Sequence, residues 1–209
     1  MKKEAEKYQA LLHIKNVSSF LDEFIDTVQM YDLLYEEISK IIKIVDTEIL
    51  RCKDKTEAEF LHELHPWFRI MVRSVIATIE AICYKFKQLT ILVCDQRKKT
   101  LSKNDREKLK EKKWDREGKL KNYYLESKEN IKFTLKKIYY AFDLRFEIKD
   151  FEGWEKLSNT IDIRNKLTHP KKKEDLEISA QQYRDASVGF NWFRQKIEEL
   201  VNQFKTSKS

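Results

Sequence analysis

The chain has 209 residues, of which only three are glycine, two proline and three cysteine, while 37% are charged and 12% aromatic, and its formal net charge is +7. That length fits one domain able to bury a core without metal or disulfide support, and the aromatic content argues against a disordered polyelectrolyte. An odd cysteine count without a CxxC pair points to free thiols in a reducing compartment, and no glycine-rich phosphate loop is present.

Helical periodicity dominates from end to end. The opening segment MKKEAEKYQALLH lacks the apolar core of a signal peptide, so a cytoplasmic chain with free, buried thiols is expected. Residues 17–50 repeat apolar side chains at spacings of three and four, from Phe20 through Ile38 and Val45 to Ile49. Residues 56–96 do the same from Leu64 through Phe68, Met71, Val75 and Ile79 to Val93. Pro66 is expected at a start or break of that second helix. Its most apolar stretch carries Arg73, Glu80 and Lys85, which makes it a core helix and not a membrane span.

Residues 97–121 hold 12 Lys/Arg against 5 Asp/Glu, so this segment carries the whole +7 surplus and the rest of the chain sums to neutral. Such a segment either attracts a polyanion or forms a solvated, lysine-rich protruding hairpin or mobile insertion. Trp114, Tyr123 and Tyr124 beside it can stack on bases or serve packing. A helix is predicted from Leu120 through Tyr124, Ile131 and Leu135 to Phe142, then a connection over 147–153 with Asp150 as N-cap for a helix at 151–169. A last helix runs from about Leu176 to Phe204, with Tyr183, Ala186, Phe190, Phe193 and Ile197 on one face. No strand alternation is evident, so the expected architecture is an all-α bundle of about five helices.

The segment IDIRNKLTHPKKK, residues 161–173, breaks the pattern. Trp154, Leu157 and Ile161 form an apolar stripe whose next members are Arg164 and Thr168. A guanidinium at a core position needs an anion, because burying it unpaired is costly. Asp162, Asn165 and His169 form a neighbouring row. Arg164 and His169 lie about 140° apart on an ideal helix. Pro170 disfavours helical backbone at His169 and so allows that side chain to swing toward Arg164. Arginine holds phosphate bidentately, imidazole moves protons near neutrality, and asparagine orients either group or a ribose hydroxyl. That is a minimal set for cutting RNA, which carries its own nucleophile in the 2′-OH. Structural roles compete with this: Arg164 can pair with an internal carboxylate such as Glu80, and His169 can simply favour a helix C-terminus.

The stretch RNKLTHP resembles the R-x4–6-H signature of the HEPN superfamily (higher eukaryotes and prokaryotes nucleotide-binding), in which the residue after the arginine is commonly polar and often asparagine. The position of the motif, near the end of a penultimate helix and before one long helix, is similar as well. The resemblance implies a HEPN-like domain over 1–209, with 1–55 as an N-terminal helical extension and 97–121 as a basic insertion. It implies a metal-independent endoribonuclease that needs no cofactor, with Arg164 and His169 as the catalytic pair and Asn165 as the polar helper. It also implies a homodimer with two motifs facing one cleft, an RNA substrate, and a toxin or antiviral role with an antitoxin or defence-system partner protein. Lys171, Lys172 and Lys173 follow at once and either hold flanking RNA phosphates or form an ordinary loop. The position two after the histidine is Lys171, so the tyrosine modified in one subgroup of the family is missing. The alternative is a non-catalytic helical scaffold or nucleic-acid-binding module acting through the basic segment.

His62 and His65, three apart in HELH, suit two metal ligands, but no third ligand lies at a familiar spacing and no metal site is expected. No Cys–His dyad stands out for thiol catalysis.

Overall fold

The computed structural model describes residues 17–148 and 151–206, with side-chain environments over 22–148 and 151–202. The opening segment 1–16, Asp150, and the side chains of Phe20 and Phe204 lie outside the described residues.

The described chain is all-α, with six α-helices and one two-stranded hairpin. In order these are α1 (Val17–Arg51), α2 (Glu57–Gln96), α3 (Lys103–Lys110), β1 (Lys112–Trp114), β2 (Leu120–Asn122), α4 (Ser127–Ala141), α5 (Phe151–Thr168), a 3-10 turn at Lys173–Leu176, and α6 (Ala180–Thr206). Among the described residues no helix is long and apolar enough to cross a membrane. Two compact units are present, neither continuous in sequence. Among the described residues the first comprises 17–31, 80–147 and 199–206; the second comprises 32–79, 148 and 151–198.

Helix ends follow local chemistry. Glu59 Oε2 accepts from the Thr56 amide and hydroxyl, and Thr56 Oγ1 accepts from the Glu59 amide, a capping box that starts α2. Pro66, expected at a start or break, therefore sits inside α2. The start signal ten residues upstream prevails, and the helix runs on past the one amide that proline cannot supply. Ser179 and Gln182 make the matching reciprocal pair at α6, with distances of 2.9 and 3.1 Å, so that helix starts at Ala180 and not near Leu176.

In the second unit, Ile38 and Val45 of α1, Leu64 through Ile79 of α2, Trp154, Leu157 and Ile161 of α5, and Tyr183 through Ile197 of α6 supply the core. Each fully buried Leu, Ile or Phe contributes about 1.5–3 kcal/mol. Tyr183 stacks on Phe68 at 4.8 Å and donates to Asp46 at 3.3 Å, linking α6 to α2 and α1. Burial beside the Asp46 carboxylate pushes its phenol up to about 12.

Two glycines set the pairing of α5 with α6. A Cβ at Gly153 would meet Trp192 of α6 at 2.4 Å, and one at Gly189 would meet the Leu157 backbone of α5 at 2.7 Å. Large residues on each helix thus seat over glycine on the other. Gly189→Ala is expected to lower stability by about 1–3 kcal/mol through overpacking. Alanine would raise it by up to about 1 kcal/mol in an unencumbered helix. Thermal melting distinguishes the two, and a higher melting temperature would refute so close an approach.

In the first unit, the buried apolar residues are those from Ile82 to Val93 of α2, Ile131, Leu135 and Ile138 of α4, and Leu101 and Leu109 around α3. The predicted helix over 120–142 is corrected at its start. Leu120–Asn122 pair antiparallel with Lys112–Trp114, and α4 begins only at Ser127. Asp115 closes the turn: its amide donates to Lys119 O, and its carboxylate accepts from the Glu117 and Lys119 amides, each at 2.9 Å. Gly118 sits at φ 74°, a left-handed conformation that glycine adopts freely. Leu120 and Tyr124 are exposed instead of joining an apolar stripe.

The basic segment 97–121 is thus a short helix followed by a hairpin, and four of its twelve cations face acids outside the segment. Arg97 and Lys99 bridge to Asp143, Arg106 to Asp95, and Lys108 to Glu129. Cys52, Cys83 and Cys94 are free and buried, and burial pushes the Cys83 thiol up to about 12.

Candidate active site

The buried line of α5 runs through Gly153, Trp154, Leu157, Thr160, Ile161 and Leu167. It therefore drifts by one residue from the expected stripe at its far end. Leu167 is buried where Thr168 was expected, and Thr168 is exposed, its hydroxyl turned back to the Arg164 carbonyl at 2.8 Å. Arg164 consequently lies at the edge of the buried face and is half-buried. Asp162, Asn165 and His169 form an exposed row, as their spacing implies.

Helix α5 stops at Thr168 and Pro170 follows two residues later. The His169 amide nevertheless donates to Asn165 O at 3.0 Å. This last helical hydrogen bond keeps His169 in register, about 140° around the axis from Arg164. The expected release of His169 by the proline is thus incomplete in the backbone. Within one chain the imidazole points outward and the guanidinium lies along the core edge.

Two arginines of α2 grip the backbone around this helix end. Arg73 donates to Leu167 O and Arg69 to Leu176 O, each at 2.9 Å. These bonds satisfy carbonyls near a helix C-terminus and offset its negative dipole, which otherwise repels an anion. His65 lies in the same neighbourhood; burial and the adjacent Arg69 guanidinium lower its pKa, opposed by Glu177. Sequence reasoning singled out neither arginine as a site residue. The available signal was the four-residue spacing of His65, Arg69 and Arg73, which aligns them on one helical face.

Lys171, Lys172 and Lys173 are exposed on the connection after Pro170. Asp175 Oδ2 accepts from the Lys171 and Lys172 amides at 2.9 and 3.2 Å, folding this run into a tight loop. Those two bonds, the Lys171 amide foremost, hold the Asp175 carboxyl below its ordinary range. A depressed folded-state value means that the loop's stabilisation is complete above the ordinary aspartate pKa and is lost as pH falls through the folded one. The Lys171 and Lys172 amide proton shifts should therefore titrate with a midpoint below about 3.9. Nuclear magnetic resonance reads this directly, and Asp175→Ala should abolish the transition.

Residues 161–173 carry five Lys/Arg against one acid. Glu174, Asp175 and Glu177 follow directly and offset much of that charge, Lys172 lying 3.9 Å from Glu174. Among the described residues no group of three or more His, Cys, Asp or Glu side chains is arranged to hold a metal ion, His62 and His65 included. Comparison of the chain with protein-family models, with curated proteins and with solved structures returns no match.

Proposed function

We propose that the chain is a metal-independent endoribonuclease of HEPN type that cuts RNA at a cleft shared by two copies. The observation that carries this reading is the α5 terminus: half-buried Arg164, exposed Asn165 and His169, and exposed lysines directly beyond. A single chain separates the guanidinium and the imidazole around the helix axis. The proposal includes a homodimer because the HEPN resemblance implies two motifs facing one cleft, and such a pairing would set one chain's imidazole opposite the other's guanidinium.

In the proposed reaction the ribose 2′-oxygen bonds to the adjacent phosphorus while the 5′-oxygen leaves. One His169 imidazole takes the 2′-OH proton, and the second copy's imidazole supplies a proton to the leaving 5′-oxygen. Arg164 neutralises the charge that builds on the phosphorane oxygens. Asn165 orients the ribose or the imidazole, and Lys171, Lys172 and Lys173 hold flanking phosphates. The products are a 2′,3′-cyclic phosphate and a 5′-hydroxyl. Arg73 acts as a positioning residue, because it holds the Leu167 carbonyl between Arg164 and His169.

Such an activity fits a toxin or antiviral effector restrained by a partner protein. Expression in cells tests this: wild type should arrest growth and fragment cellular RNA, and His169→Ala should do neither. Equal toxicity of the two would refute it.

A further inference from the structure

The hairpin in the first unit is built as a rigid, exposed platform, although an isolated two-stranded ribbon is only marginally stable in water. All six strand residues are exposed. Trp114 and Leu120 face each other across the strands and are 60% and 54% exposed. Nothing in the core requires this pair.

One neighbouring pair is charged at a cost. Lys113 sits directly opposite Lys121, and like charges at opposed positions destabilise a ribbon. Residues 112–122 hold five Lys/Arg against two acids. Both acids are engaged inside the hairpin, Asp115 with Lys121 at 2.8 Å and Glu117 with Lys119 at 3.1 Å. Lys113 lies over the Tyr123 ring at 4.6 Å, and Arg116 is exposed at the tip.

The base of the hairpin is fixed firmly. Lys87 of α2, only 1% exposed, donates to Glu111 at 2.8 Å, and the Tyr123 amide donates to Glu111 O at 2.8 Å. Asp115 and Gly118 fix the tip, as described above. A preorganised ribbon loses little conformational freedom when something docks on it.

We propose that this hairpin docks single-stranded RNA, with a base stacked on Trp114 beside Leu120 and phosphates held by Lys112, on the same face of the ribbon, and by Arg116 at the tip. The charge surplus calls for a polyanion, and the exposed indole calls for a flat partner that a duplex does not offer. The choice of RNA over DNA rests on the ribonuclease proposal; the docking itself does not.

The test uses the full chain and a fluorescent 2′-O-methyl oligonucleotide, which lacks the nucleophile and stays intact. Trp114→Ala should weaken binding about tenfold or more, and Trp114→Phe should retain most of it. Lys112→Glu with Arg116→Glu should flatten the salt dependence, by about 0.7 in logarithmic slope for each phosphate that is no longer neutralised. These positions are exposed, so melting temperature should shift only slightly, by no more than a cross-strand pair is worth. Binding indifferent to Trp114, or equal for a duplex of the same sequence, would overturn the proposal. So would binding to anionic lipid vesicles in place of the oligonucleotide, or a change in oligomeric state on Trp114→Ala. Failure of the ribonuclease reading looks different: unmodified RNA stays whole while Trp114-dependent binding persists.

Discussion

With chelator present, purified His169→Ala protein is expected to cut single-stranded RNA about 10²–10⁴-fold more slowly than wild type, the usual contribution of a positioned acid or base. Arg164→Ala should lose about 10²–10³-fold, because a preorganised cation facing the phosphorane would be gone. Arg164→Lys should rescue little. An ammonium is a point charge and cannot grip two phosphate oxygens in one plane. Stability separates catalysis from folding here. His169 is exposed, so its replacement should change stability by no more than about 0.5 kcal/mol. Arg164 is half-buried, so the lysine variant, which keeps stem and charge, is the one to compare. Wild-type rates in both Arg164→Lys and His169→Ala would remove the α5 terminus as a catalytic centre.

Unequal losses are expected from the two halves of one ion pair. The Lys87 side chain is 2% exposed and that of Glu111 is 25% exposed, at 2.8 Å from each other. Glu111→Met leaves an ammonium in the core with no counter-charge, which costs about 3–5 kcal/mol. Lys87→Met removes the buried charge, and the carboxylate it leaves behind can rehydrate, so stability should stay near wild type. The double variant should recover most of what Glu111→Met loses. For a chain of this size, about 3–5 kcal/mol corresponds to a drop of about 10 °C in melting temperature. Equal effects of the two single variants would mean that Lys87 is not desolvated. The hairpin should suffer first, because Glu111 also supplies the carbonyl that receives the Tyr123 amide. Limited proteolysis near Arg116 and Lys119 reports that loosening.

The long helices were legible because their stripes are long. Leu64, Phe68, Met71, Val75 and Ile79 are all buried at the spacing that predicted them. Short elements were not legible. Leu120 and Tyr124 lie four apart and imitate a helical face, yet strands of three residues are too brief to show alternation. What decides the local structure there is the Asp115 carboxylate collecting two amides, together with glycine at position 118. Pro66 misled for a related reason, since a capping box ten residues earlier outweighs a single missing amide. At the candidate site the residue types and the helix end were readable, but the azimuth was not. A buried face that drifts from Thr168 to Leu167 decides that Arg164 is half-buried and His169 outward. The arginines at 69 and 73 act on backbone carbonyls of distant residues, a pairing that side-chain spacing along one helix does not encode.

A crystal structure of the chain with a 2′-O-methyl RNA bound tests the central claim most directly. The prediction is that one phosphodiester lies within hydrogen-bonding distance of an Arg164 guanidinium and a His169 imidazole, with a second copy completing the groove. RNA bound elsewhere, with those two side chains in separate surroundings and no second copy alongside, would contradict it.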